Sequence, residues 1–309
     1  MKKFLLRKKI ISILIILIFL ASVMYTVSYA LFGEVIDGFL GISSEESQRF
    51  KEVPELSNAE VAKKRAEEYE KELKLKAENV VINEATSNKL KSQKGGSKLY
   101  TNYKRMIAEK DLNENQQNRL DQYVLENIDI VDMLSLYEYL YDSFFTYEDM
   151  DVAIERCNSG EALENVLETY MNIEASFEPI KLETKEWNRL IEDCQLQVEA
   201  VALGEVISQR GFATFDEIIA DIINYDNWEI ISDKYGIMNV SGKMDVITIT
   251  DEELDKCAKE LRISTAEAKI KVVEAKKHKV KSEDLVKYIK SNKRASIALK
   301  EYYTSKYLK

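Results

Sequence analysis

Apolar positions recur three and four residues apart along most of this chain, the spacing of one face of an α-helix. The clearest run is 113–145. Leu120, Tyr123, Val124, Ile128, Val131, Leu134, Tyr137, Tyr141 and Phe144 share one stripe, and Asn113 with Gln116 forms a capping box at its start. A second long helix is predicted from Thr184 to Gln209, with Trp187, Leu190, Ile191, Cys194, Val198, Val201 and Ala202 inward and Gly211 ending it at positive φ. Residues 58–85 are rich in Ala, Glu and Lys, and their apolar spacing is loose, which predicts a helical spacer or weak coiled coil. The polar stretch 86–98, with Gly95-Gly96, reads as a linker. Alternation of Val246, Thr248 and Thr250 with Ile247 and Ile249 allows at most one short β-hairpin near 238–250, turning at Ser241-Gly242.

One stretch is written twice. "FTYEDMDVAIER" from Phe145 aligns without a gap with "ATFDEIIADIIN" from Ala213. Thr146 and Thr214 are helix caps, and Asp149 and Glu217 sit three residues on, where an acid closes the capping box and favours the positive end of the helix. Phe145 and Met150 form a hydrophobic staple around the first cap. Second starts are predicted at Asn158 with Glu161 and at Asp226 with Glu229. The same grammar recurs at Thr250 with Glu253, at Ser264 with Glu267, and in "SEDL" (282–285), which opens the last helix. The expected fold is all-α: an array of helical hairpins.

Composition agrees. Of 309 residues, 45% are hydrophobic, enough for a core, while only 10 Gly and 2 Pro are too few for a loop-rich or sheet-rich chain. The N-terminus differs from the rest. Lys2, Lys3, Arg7, Lys8 and Lys9 precede an uncharged run from Ile10 to Gly33, followed by Glu34 and Asp37. Such a run is long enough to span a bilayer, and its flanks place the N-terminus in the cytoplasm and the bulk outside. "VSYA" (27–30) offers signal-peptidase spacing, so secretion after cleavage at Ala30 is the alternative. Residues 1–33 are thus read as anchor or signal peptide and 34–98 as connector and spacer, with a short helix opened by Ser43 and Glu46. An acidic all-α domain spans 99–255 and a basic helical segment 256–309. The last segment holds 16 Lys+Arg against 6 acids, whereas residues 31–255 carry a net −25. A basic tail either contacts an anionic partner or docks on its own acidic body.

The chemistry-bearing residues are sparse. The three cysteines, Cys157, Cys194 and Cys257, fall within helical patterns and read as packing residues. His278 is the only histidine and lies among lysines, as a solvated residue near a helix end. No phosphate-binding glycine loop, zinc motif or calcium loop occurs, although "DIVDM" (129–133) and "YEDMD" (147–151) bring carboxylates close. No cofactor is expected. Two surfaces are candidates for partner binding. One is the aromatic stretch "LYEYLYDSFFTY" (136–147), represented by Tyr137, Tyr139 and Tyr141 and joined by Tyr225 and Trp228. The other is basic: Lys276, Lys277 and Lys279. The expectation is a non-catalytic cell-envelope protein. Residues 10–33 meet membrane lipid and the exported domain binds a protein or an anionic envelope polymer. The alternatives are a secreted, carboxylate-dependent glycan-cleaving enzyme and a regulator binding nucleic acid through the basic segment, the latter disfavoured by the acidic body.

Overall fold

The computed structural model describes residues 58–308, apart from 128, 177–179, 226, 244–246, 248 and 292. The expected anchor at 10–33 and connector at 33–56 lie outside the described residues. No described helix is long and apolar enough to cross a membrane. Fifteen α-helices and no strand occur among the described residues, so the all-α expectation holds. The chain divides into two compact units, 1–74 and 75–309. The described part of the first lies in helix α1 (Asn58–Asn79), where Lys64 to Glu72 are all exposed. A helical stretch so exposed gains from side-chain pairs along its surface, and Glu67/Lys71 and Glu70/Lys74 have the favourable order four residues apart.

The second unit is built on three apolar clusters. The largest is formed by α2 (Glu84–Ser92), α3 (Gly96–Lys110), α4 (Glu114–Glu126), α5 (Ile130–Asp142), α6 (Tyr147–Asn158), α7 (Leu163–Ala175) and the distant α15 (Ala295–Leu308). Here the linker expected at 86–98 is overturned. Leu90 and Leu99 are fully buried, Asn83 caps α2, and Gly95 adopts φ 74 at the tight joint with α3. Polar composition hid two core residues, Leu90 between two lysines and Leu99 after Lys98.

The predicted helix 113–145 is two helices. Asn113 and Gln116 make the expected capping box, but the ladder stops at Asn127, and Asp129 caps α5 by accepting from the Asp132 amide at 3.1 Å. Every residue of α5 from Met133 to Tyr141 is buried. It is the central helix, packed by α4, α6, α7 and α15. A helix surrounded on all sides has no outward face. That is why Tyr139, off the predicted stripe, is buried with Tyr137 and Tyr141.

Charge completes this core. Glu138 on α5 is buried and accepts from Lys306 Nζ at 2.6 Å and Tyr307 Oη at 2.5 Å, both on α15. Lys306 also lies 3.5 Å from Glu109, and its carbonyl accepts from Asn102 at 2.5 Å. Lys300–Glu164 (2.6 Å) and Arg294–Glu168 (3.0 Å) extend the contact to α7. The end of the basic segment therefore docks on the acidic body.

The second cluster is a layer formed by α8 (Thr184–Asn188), a π-helical turn (Arg189–Asp193), α9 (Val198–Gln209), α10 (Phe215–Tyr225) and α11 (Trp228–Tyr235). The single helix predicted at 184–209 breaks at Cys194–Gln197, with Gln195 at φ 54. The break resets the helical register, and Val198, expected inside, is exposed. Gly211, at φ 80, follows α9 as predicted. Thr214 and Glu217 form the reciprocal cap, as do Thr146 and Asp149. The parallel between the two copies then ends. Asn158 is the last residue of α6, not a start, and α7 begins at Leu163; α11 starts from Asn227, and Asp226 lies outside the described residues.

A third cluster sits among α12 (Asp251–Leu261), α13 (Thr265–Lys277) and α14 (Leu285–Ser291), entered through the predicted caps Thr250 and Ser264. Ser282–Asp284 is a short 3-10 turn leading to α14, and the final helix α15 is separate, so "SEDL" does not open the last helix. Thr146 and Ile237 make one isolated bridge, and no hairpin strand occurs among the described residues near 238–250.

Two outcomes test this core. Leu90→Ala should destabilise by about 2–5 kcal/mol in urea unfolding, a core-sized loss that a linker residue would not produce. Lys306→Met should cost about 3–5 kcal/mol by stranding Glu138, and the double variant Lys306→Met/Glu138→Gln should recover a large part of it.

Candidate functional site

A hollow near titratable groups lies where α4 ends, α5 begins and α6 ends. It is a cavity of about 240 Å³ lined by Asn127, Asp129, Asp132, Met133, Leu136, Ile154, Cys157, Asn158, Gly160 and Glu161. Local chain geometry makes it. Asn127 stops α4 and donates to the Tyr123 carbonyl at 2.8 Å, while its amide oxygen accepts from Asn158 at 3.1 Å. That pair ties the two helix ends together, and Gly160, at φ 97, turns the chain away below them.

The electrostatics of the hollow are acidic. Burial, then the neighbouring Asp129, pushes the Asp132 carboxyl up to about 6. Glu164 acts in the same sense, and Lys300 opposes it. Burial, then Asp132, pushes the Cys157 thiol up to about 11. A thiol raised this far stays protonated at neutral pH and is a poor nucleophile. Glu161 is occupied by Arg156 through two hydrogen bonds of 2.8 and 2.7 Å. Asp129 is occupied as the α5 cap. Asp132 is thus the one lining acid without such a duty, and it acts at most as a weak proton donor. Among the described residues, no group of His, Cys, Asp or Glu side chains is placed to hold a metal ion. The sequence did show Asp129 and Asp132 as close neighbours. It did not show Cys157 beside them, because that contact crosses from α6 to α5.

The residues singled out by sequence do not meet at one place. Tyr137, Tyr139 and Tyr141 are core residues, which corrects their reading as a partner surface. Tyr139 donates to Glu174, Tyr141 donates to the Lys110 carbonyl at 2.8 Å, and the Tyr137 ring stacks on Tyr141 with centroids 6.2 Å apart. Trp228 is half-buried. Its ring lies on Gly242, where a Cβ would come within 2.7 Å, and its Nε1 donates to the Asn239 carbonyl at 3.1 Å. Tyr225 is exposed. Of the basic trio, Lys276 pairs with Glu253 at 2.5 Å and Lys279 with Asp142 at 3.7 Å, while Lys277 is exposed. His278 is half-buried at the end of α13, 3.3 Å from the Tyr288 hydroxyl, and burial lowers its pKa; it is not the solvated residue expected.

A different set of buried groups joins the first two clusters. Phe144 adopts φ 57 and places its ring in the second cluster, edge-on to Trp228 at 6.4 Å. Phe145 places its ring in the first, edge-on to Tyr170 at 4.9 Å. The Arg210 guanidinium stacks on Phe145 at 3.4 Å and donates to the Ser143 carbonyl at 2.5 Å. Burial lowers its pKa to about 10, which leaves it charged at neutral pH. No protein-family model, curated protein or solved structure matches the chain.

Asp132 gives a pH test. Its folded pKa lies above the unfolded value, so its contribution favours the fold at low pH and is lost as pH rises through about 6. Asp132→Asn should therefore gain stability at pH 7, by about 1 kcal/mol after allowing for solvent screening of this partly exposed group. It should also flatten the dependence of Tm between pH 4 and 7. An unchanged profile would remove Asp132 as a perturbed acid.

Proposed function

We propose that this chain is a non-catalytic cell-envelope protein that presents an exported, all-α domain for binding a protein partner. The observation that carries this reading is the basic-flanked, uncharged run Ile10–Gly33 ahead of a long helical body. Three features of the body support it. The hollow beside Asp132 is, at about 240 Å³, below the range usual for small-molecule pockets. Its acids are largely committed to a cap and an ion pair. The cysteine in it is held protonated.

Within this reading a protein partner is favoured over an anionic polymer. Of the basic trio read as a polymer surface, Lys276 and Lys279 are paired to acids of the same chain, as are Lys300 and Lys306 on the last helix, and Lys277 alone of the trio is exposed. The same pairing counts against nucleic acid. Within the hollow the glycan-cleaving alternative draws on Asp132 alone, since Asp129 serves as a helix cap and Glu161 is paired with Arg156, and two carboxylates in different protonation states are required.

Fractionation of cells expressing the full chain is the test. The protein should sediment with membranes or appear outside the cell. In intact spheroplasts, protease added outside should reach the region after residue 57. Full-length protein in the soluble cytoplasm, protected from that protease, would overturn the reading.

A further inference from the structure

The layer of α8 to α11 differs from the rest of the body in two ways. Four large apolar side chains are exposed at one end of it: Val198 (41%), Ile223 (40%), Tyr225 (46%) and Ile230 (44%). Their common location follows from the helix pairing. α9 and α10 are joined by a short turn and run antiparallel, and they cross closely at Gly204, where a Cβ would lie 2.9 Å from Ile219 Cδ1 and 3.6 Å from Ile222 Cδ1. Val198 lies six residues before Gly204, about 9 Å along α9 at the usual rise per residue. That is the end at which α10 finishes with Ile223 and Tyr225 and α11 begins with Trp228 and Ile230. Scattered exposed apolar residues need no explanation, but a group gathered at one end of a hairpin does.

The second difference is charge. Residues 182–237 hold twelve acids and four basic residues, a net −8. Three of those four are engaged: Arg210 is buried, Arg189 pairs with Glu186 at 2.6 Å, and Lys234 pairs with Asp221 at 2.6 Å. Glu192, Asp193, Glu199 and Glu229 are exposed; Glu199 follows Val198 and Glu229 precedes Ile230 in the chain, and Glu229 also accepts from Asn113 at 2.6 Å. An apolar centre with an acidic rim is complementary to an apolar face flanked by lysines or arginines.

We infer that Val198, Ile223, Tyr225 and Ile230 form the docking surface of the domain, and that it takes a basic amphipathic segment of a partner protein. This rests on the proposed role in partner binding and names the surface that performs it. Burying the four side chains supplies the affinity, and the rim selects against acidic segments and against a second copy of this equally acidic layer.

The experiment places a photo-cross-linking amino acid in the full chain, in its native membranes, at Tyr225 or at Ile270. Ile270 is more exposed than the patch and lies on α13. Cross-linked peptides are identified by mass spectrometry. Tyr225 should capture a peptide of another protein with apolar residues at helical spacing and an excess of Lys and Arg. In an Ile223→Lys/Ile230→Lys background, with unchanged circular dichroism, its yield should fall by roughly tenfold, as for loss of central apolar contacts with positive charge added against a basic segment. Capture of an acidic peptide or of this chain itself at Tyr225 overturns the proposal, as does a yield indifferent to the two lysines. Cross-links from Ile270 alone overturn the surface and leave the binding role standing. Cross-links from neither position overturn both.

Discussion

The second unit depends on one turn of backbone. Between α5 and α6 the chain must leave the central helix and serve two cores at once. It does so by placing Phe144 in the left-handed region, so that two consecutive rings point into different clusters. A bulky residue in this conformation carries a local cost that the surroundings must overcome. Here the surroundings act from both sides. Arg210 covers Phe145 and holds the Ser143 carbonyl, while the strand-like segment after α11 pairs with the same stretch through Thr146 and Ile237 and through the Met238 amide to the Phe145 carbonyl at 2.9 Å. Gln116, within the α4 capping box, donates to the Met238 carbonyl at 2.9 Å. The layer carrying the proposed docking surface is therefore fixed to the main core by backbone contacts as well as by apolar area.

Most local rules that concern residues three or four apart were legible in the sequence; Asn158 with Glu161 and the start of the last helix in 282–285 were exceptions. The boxes at Asn113, Thr146, Thr214, Thr250 and Ser264 all cap helices in the structure, because a cap needs only a side chain and an amide of the same turn. Helix ends inside apolar runs were not legible. The stripe continues across Asn127 and across Cys194 with no proline or glycine to mark the break. These stops are set by tertiary partners, such as Asn158 for Asn127. The pair Gly95-Gly96 misled in the other direction. It marks a sharp corner between two core helices, and the leucines that anchor it are isolated among polar neighbours.

The candidate surfaces divide along the same line. Aromatic density at 136–147 belongs to a helix buried on every side and to the turn that leads from it into α6, which one-dimensional periodicity cannot reveal. Tyr225 and Trp228, the aromatics that the capping grammar leaves unexplained, do lie at the exposed end of the second layer, although Trp228 is half taken up by its own loop at Gly242. Val198 became part of that end only because the π turn and Gln195 shifted its register.

The contact between Glu138 and the pair Lys306–Tyr307 has a consequence in time. Glu138 lies 168 and 169 residues from its two partners, and Leu299, Tyr303 and Tyr307 fill the same core as Leu90 and Leu99. Loops of this length close slowly, and until α15 arrives the carboxylate of Glu138 has no counter-charge and the groove around α5 no lid. The first cluster is thus completed only when two distant stretches of the chain meet, so its folding waits on α15.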